Sequence, residues 1–488
     1  MARILTLGTV LLVLVAFAEA TAPKASNGLG NEGHSAMLHP SIDHASLTSA
    51  YALPTAATTR PLLEGAVHSS EFLEIADGRS RVTAFVSYPD RGERAPAVVV
   101  TTDAGMTDWA RSMAFQAARA GFVAIAPDYP GQKRLAHEAG VRRFAAELPA
   151  ANGVTADVDI RGELISARVG AAPAATFALN DEGWATALAF VSHHTGNHFH
   201  PHPGMDHVAM EMRAQQAGGG AAPREAPGLN VKPDDLPANW VMAGKTANTT
   251  PRKNEWIDVP MPGSNAKIHT WVVHPDGTQP AGTVLVLHGA SGISDWIRSV
   301  ADQLAKEGFI ALAIDMSSGL GPNGGNFDSF RFTDDLMRAT QKLTREDVMD
   351  RIMAVRDFAA KMPRSNGKTG SIGFCGGGTN SFTLATNSPA HNASVVYYGA
   401  APMPLLEKTR APVLGFYGED DARIFSTVEP TRAAMKKLGK AYEAHTYPHA
   451  THSFLWMQDL GNNFQATADA WPRTIAFFRQ HLATGATR

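Results

Sequence analysis

The chain has 488 residues, one cysteine, and 43 basic against 46 acidic residues, for a formal net charge of −3. Apolar residues make up 44% and charged residues 18%, enough to bury cores and too apolar for a disordered chain. The near-neutral balance leaves no electrostatic footprint for nucleic acid, and a lone cysteine excludes an internal disulfide framework and any multi-cysteine metal site.

In chain order, Met1-Ala2-Arg3 precedes an apolar run from Ile4 to Phe17 and then Ala18-Glu19-Ala20. A positive start, a short apolar stretch and small residues at −3 and −1 predict a secretory signal peptide over 1–20, cleaved after Ala20. The run is shorter than the ~20 residues of a spanning helix. The mature protein is therefore expected to be periplasmic or secreted, with no membrane association after cleavage. Residues 21–66 are rich in Ala, Ser, Thr, Pro and Gly without period and read as a flexible lead.

Length suggests roughly three domains of ~150 residues, but an internal repeat gives a different division. Glu71-Phe72-Leu73-Glu74, Ser87-Tyr88-Pro89-Asp90, Gly105 to Ser112 and Gly121 to Asp128 recur as Glu255-Trp256-Ile257-Asp258, Val273-His274-Pro275-Asp276, Gly292 to Ser299 and Gly308 to Asp315. The offset stays within 184–187 residues, a register that points to duplication. Each copy reads as an alternating edge strand, an apolar run (Ala97–Val100; Val284–Leu287), a helix with its N-cap near Thr107 or Ser294, and a second apolar run ending in Asp. Such runs alternating with helices predict a mostly parallel sheet with helices on both faces.

Copy two continues with helix 345–361, run 370–374, helix 377–385, runs 393–398 and 413–417, helix 430–438 and a last helix 467–482. Copy one stops early: run Ala175–Leu179 and helix Gly183–Val191 align with Ile372–Phe374 and Gly378–Ala385. The predicted division is a truncated domain over 67–192, a His/Gly/Pro-rich linker over 193–250 and a complete α/β domain over 251–488.

The only cysteine, Cys375, stands in Gly373-Phe374-Cys375-Gly376-Gly377-Gly378 between an apolar run and a helix. This is the thiol form of the G-x-S-x-G nucleophile elbow. A nucleophile at the tip of a tight strand-to-helix turn needs glycine neighbours, because their Cβ atoms would clash. The following N–H groups and the helix N-terminus then point at a developing oxyanion and favour the thiolate. A thiol needs a base, and the base an orienting carboxylate, in the order nucleophile, acid, histidine. Tyr417-Gly418-Glu419-Asp420-Asp421-Ala422-Arg423-Ile424 offers Asp420 or Asp421. Tyr447-Pro448-His449-Ala450-Thr451-His452-Ser453-Phe454 offers His449 or His452.

These motifs, spread over nearly all of copy two, resemble the dienelactone hydrolase family of α/β-hydrolases. The resemblance implies an α/β-hydrolase fold preceded by a truncated, degenerate copy of it, and a Cys375–Asp421–His452 triad: the Asp directly before Ala422-Arg423 and the His directly before Ser-Phe occupy the motif positions. It implies an oxyanion hole from Gly376 with Gly289 or Ala290, no cofactor, and a small-molecule ester, thioester or lactone cleaved through a thioacyl-enzyme. Two positions depart from the family. Gly289 stands where a Glu usually follows the first strand, and Trp456 stands where well-known members carry a carboxylate-binding Arg. Trp456, Phe327 and Phe330 are candidates for an apolar acyl pocket. In copy one Cys375 aligns with Asn180, which is no nucleophile, so that copy is expected to be non-catalytic. A ligand-binding or scaffold protein on the same fold, and an acyltransferase, are the rival readings.

Six histidines fall between His193 and His207. His-rich tracts can capture metal in exported proteins, with His193, His198, His200 and His202 as ligands. Their spacing matches no ordered site, and Pro201 and Pro203 oppose a helix that would align them, so a linker without metal is expected.

Overall fold

The computed structural model describes residues 51–197 and 232–483, apart from 67–68, 78–79, 90, 92, 130–133, 171–173, 241, 331 and 459–461. The signal-peptide expectation and the tract from His198 to His207 lie outside the described residues. No helix among the described residues is long and apolar enough to cross a membrane.

The second half forms an eight-stranded sheet. Its strands are β8 (Asn254–Pro260), β9 (Lys267–Val273), β10 (Ala281–Leu287), β11 (Ile310–Ile314), β12 (Ser365–Phe374), β13 (Ala393–Tyr397), β14 (Val413–Gly418) and β15 (Tyr442–Tyr447), in the spatial order β8-β9-β11-β10-β12-β13-β14-β15. Pairing is antiparallel from β8 to β11 and parallel from β11 to β15. β10 and β11 are buried at every position, as expected for strands covered on both faces. One layer, with α6 (Asp295–Lys306) and α12 (Asn463–Leu482), buries Val300, Leu304, Trp471 and Phe478. The opposite layer, with α8 (Arg345–Ala359), buries Met349, Ile352 and Val355. The helix α9 (Gly376–Asn387) follows β12 directly. This is the predicted α/β-hydrolase fold.

The first half forms a seven-stranded sheet from β1 (Ser70–Asp77), β2 (Ser80–Ser87), β3 (Ala95–Thr102), β4 (Val123–Asp128), β5 (Ala151–Arg161), β6 (Leu164–Val169) and β7 (Ala175–Ala178), in the order β1-β2-β4-β3-β5-β6-β7. Its first five positions match the order β8-β9-β11-β10-β12. The parallel pairs β3/β5 and β10/β12 also share a register irregularity, at Ala95/Ala97 and at Ala281/Thr283. The helix α2 (Asp108–Arg119) starts at Thr107, whose hydroxyl accepts from the Ala110 N–H.

Three expectations change. The third parallel strand of the first half is β5, which follows α3 (Arg134–Glu147); Ala175–Ala178 is instead an antiparallel edge strand. The β6–β7 ribbon stands between β5 and α4 (Asp181–Thr195), where the second half makes a direct strand-to-helix turn. This sheet is therefore mostly antiparallel. The part of the flexible lead from residue 51 onward is packed: α1 (Thr59–Ala66) buries Leu62, Leu63 and Ala66, and Pro54 O accepts from the Trp109 indole at 2.9 Å. The end of the linker is likewise built into the second half, with Leu236 buried, Trp296 Nε1 donating to Ala238 O at 2.9 Å and Gln458 Nε2 donating to Pro237 O at 2.8 Å.

Candidate active site

Cys375 sits between β12 and α9 with φ 55° and ψ −121°, a left-handed conformation that a non-glycine residue holds only when its surroundings impose it. The glycines of the motif impose it. A Cβ on Gly373 would lie 1.9 Å from Gly377 O, and one on Gly377 would lie 2.1 Å from Leu287 O. Gly377→Ala is accordingly expected to fail to give soluble folded protein, checked by yield and circular dichroism. The Cys375 thiol is half-buried at the N-terminus of α9, where the Gly376 N–H faces it.

Asp421 follows β14 and caps the short helix α10 (Ala422–Phe425). Its Oδ1 accepts from Ile424 N–H at 3.3 Å, and its Oδ2 lies 2.5 Å from His452 Nδ1. His452 stands in the loop between β15 and α12. Its Nε2 is buried with no hydrogen-bond partner and faces the Cys375 thiol. Cys375, Asp421 and His452 are thus brought together. Asp420 and His449 are not: the Asp420 N–H is committed to Ala450 O at 3.0 Å, and His449 is exposed.

Burial alone would push the thiol up, but His452, Arg423 and the Gly376 N–H together pull it down to about 7. Burial alone would push the imidazole down, but Asp421 and the thiolate raise it to about 10. Burial would likewise raise Asp421, yet His452 and Arg423 hold it below the usual carboxylate range. Near neutral pH the site therefore favours a thiolate facing an imidazolium, the form in which cysteine is nucleophilic.

Gly289 and Ala290 follow β10 and lie over the thiol. A Cβ on Gly289 would be 3.0 Å from Cys375 Cβ and 3.7 Å from its Sγ, so the larger family residue does not fit this backbone. His288 fixes the loop: its Nε2 accepts from Met316 N–H at 3.1 Å, so its Nδ1 is the donor to Gly289 O at 2.7 Å. Burial keeps this imidazole neutral.

A small cleft opens at the thiol. Besides Cys375 it is lined by Gly289, Ala290, Ser291, Ser294 and Ser453 and by the faces of Trp296, Ile297, Phe374, Tyr398 and Trp456, with no Lys, Arg, Asp or Glu among these described residues. Trp456 is where the sequence placed it. Phe327 and Phe330 are not in this lining; the Phe327 ring packs over Gly292, where a Cβ would come within 2.6 Å of it. Tyr398 was missed. It follows β13 with φ 41°, and its ring centroid is 4.9 Å from that of His452. The signal was the adjoining Gly399, where a Cβ would meet α9 at 2.5 Å. Among the described residues no cluster of three or more His, Cys, Asp or Glu side chains is arranged to hold a metal.

Residues 268–482 match the Dienelactone hydrolase family. A protein from Saccharolobus solfataricus, provisionally named a carboxymethylenebutenolidase, is 28% identical over 249 residues, covering 44% of this chain and 95% of its own. One from Bradyrhizobium, provisionally named a 2-oxo-3-(5-oxofuran-2-ylidene)propanoate lactonase, is 28% identical over 246 residues, covering 47% and 94%. Among solved structures, a dienelactone hydrolase from Anabaena variabilis is 21% identical with a TM-score of 0.38, covering 48% of this chain and 99% of its own. Over residues 268–482 the second half is similar to the dienelactone hydrolase family, which makes it a hydrolase domain of that type.

Proposed function

We propose that the chain is an exported hydrolase that cleaves a carboxylic ester, thioester or lactone through a covalent thioacyl-enzyme on Cys375. The observation that carries this reading is the 2.5 Å contact between Asp421 and His452, with the imidazole's other nitrogen facing a thiol on a strained strand-to-helix turn. The thiolate attacks the acyl carbon, and the carbonyl oxygen takes up the electron pair. The N–H groups of Gly376 and of Gly289 or Ala290 face that oxygen. Collapse breaks the acyl–oxygen bond and forms the thioester, and the leaving alkoxide takes its proton from His452. His452 then deprotonates water, which attacks the thioester, releases the acid and restores the thiol pair. Asp421 holds the imidazole's tautomer throughout. Cys375→Ala should abolish turnover of a p-nitrophenyl ester; full retained activity would refute the nucleophile.

The relatives' names bring lactones among the substrates, and the cleft walls, which carry no Lys or Arg among the described lining residues, select among them. A substrate carboxylate there would lose water and meet the Cys375 thiolate without a guanidinium or ammonium to pair with. The expected result is a kcat/KM at least about 10-fold higher for a neutral butenolide than for its carboxylate-bearing analogue. A preference for the anionic compound would overturn this assignment. Export is the reading of the N-terminal run of small and apolar residues, and cell fractionation tests it. Duplication is the reading of the repeated motifs together with the shared strand order.

A further inference from the structure

The first half lacks a nucleophile, yet it touches the loops that form the site in the second half. The Ala290 methyl packs on the first half's core. Ala422, directly after Asp421, is buried in a cluster otherwise made of first-half residues, including Val82, Ala84 and Val86 of β2. The Ala422 N–H donates to Arg91 O at 3.0 Å. The next residue, Arg423, carries its guanidinium back across this boundary. Its Nη1 lies 3.8 Å from Glu71 Oε1 of β1, and its Cζ lies 4.9 Å over the Tyr88 ring just after β2. The Tyr88 hydroxyl donates to the same Glu71 oxygen at 2.7 Å. Glu71 and Tyr88 belong to the repeated blocks, but their counterparts Glu255 and His274 pair with each other at 3.0 Å instead.

We infer that Glu71 and Tyr88 of the first half are positioning residues for the hydrolase site, acting through Arg423 on the loop that presents Asp421. This inference rests on the triad reading above. The guanidinium contacts Glu71 and the Tyr88 ring, and its charge also acts on Asp421 and Cys375. Arg423 is largely buried, with Glu71 as its ion-pair partner at 3.8 Å. While Glu71 holds it, its charge stays near the Asp421 carboxylate and the thiol without capturing the oxygen that His452 needs. Released from Glu71, the guanidinium is free to close on Asp421 and compete with the imidazole. The Asp421–His452 contact would then lengthen, with no loss of any group that touches substrate. The duplicated half thereby has a task that keeps it attached: it completes the second half's catalytic loop.

The test compares Glu71→Gln, Glu71→Asp and Tyr88→Phe with wild type on a p-nitrophenyl ester, alongside Cys375→Ala. Glu71→Gln should lower kcat by about 10-fold or more, the scale of a catalytic group displaced by less than an ångström. KM should stay within about 2-fold, since the cleft is untouched. Glu71→Asp should recover part of the loss, and Tyr88→Phe should show a smaller fall of about 3-fold. A Glu71→Gln enzyme with wild-type kcat overturns the inference. So does an unchanged Tyr88→Phe, which remains decisive where Glu71→Gln is too unstable to assay. If Cys375→Ala keeps activity, the triad reading fails; if Cys375→Ala is inactive while the Glu71 and Tyr88 variants match wild type, only the positioning role fails.

Discussion

Asp421→Asn should cut kcat by about 10⁴-fold while KM and Tm stay close to wild type. The asparagine keeps the shape and keeps an oxygen for the Ile424 N–H, so the cap of the short helix survives. What changes is the atom 2.5 Å from His452 Nδ1. An amide nitrogen there donates to Nδ1 and turns the imidazole to the tautomer whose proton sits on Nε2. An amide oxygen there removes the charge that supports the imidazolium. In the first case Nε2 cannot take the thiol proton, and in the second it takes it less readily because the imidazolium is no longer supported. The same substitution has a second readout that needs no substrate. In the wild type, alkylation of Cys375 by iodoacetamide should rise with pH through a midpoint of about 7, because His452, Arg423 and the Gly376 N–H outweigh burial. Ester turnover should follow the same rise and fall again as His452 loses its proton near pH 10. In Asp421→Asn the imidazole loses its largest support, and the thiol midpoint should move up towards the ordinary value of about 8.5. A variant with a wild-type alkylation profile and wild-type kcat would show that Asp421 plays no part in the reaction.

The elbow was legible in the sequence because its constraint is local. Gly373 and Gly377 are required by backbone atoms within a few residues or on the neighbouring strand, so the requirement leaves a dense motif around the only cysteine. Asp421 and His452 were legible as motif positions, and their alternatives fail for local reasons too: Asp420 turns its N–H into the loop, and His449 faces solvent. The strands β10 and β11 announce themselves as unbroken apolar runs because both their faces are covered. The half-exposed β15, Tyr-Glu-Ala-His-Thr-Tyr, has no such run and was missed. The β6–β7 ribbon defeated the repeat alignment because Ala175–Leu179 reads as a short apolar run leading into a helix, the same local pattern as the end of β12 before α9. Helix α7 (Thr333–Thr340) was missed for another reason. Its charged face, Asp334-Asp335 and Arg338, looks solvated in the sequence, but its partners lie more than 200 residues away. Glu71 stands in the sequence as a repeat residue without a role, since nothing local predicts that it meets Arg423.

That charged face carries the largest stability effect expected of any single polar side chain here. Asp334 is fully buried and accepts from Arg111 on both oxygens, Nη1 to Oδ1 at 2.6 Å and Nη2 to Oδ2 at 3.1 Å. Arg60 adds a third bond to Oδ2 at 3.0 Å. Arg111 is itself buried, with its guanidinium 5.5 Å from the rings of both Phe72 and Phe85. On the next turn Met337 enters the first half's core, and Glu64 of α1 accepts from the N–H groups of Thr333 and Asp334. Asp334→Ala leaves the Arg111 charge in an apolar setting with only the half-exposed Asp108 beside it, at 2.8 Å. A buried ion that loses its main partner costs about 3–5 kcal/mol, less what Asp108 recovers, a fall in Tm on the order of 10 °C. The paired substitution Arg111→Met with Asp334→Leu removes both charges at once and should recover most of that loss, because the penalty belongs to the orphaned ion rather than to the missing bond. A calorimetric comparison of the two single variants and the pair measures the coupling. If Asp334→Ala melts with the wild type, the halves are held by their apolar contacts alone. A loss in the pair equal to the sum of the single losses would place the cost in packing around Phe72, Phe85 and Met337, since orphaned charge then contributes nothing.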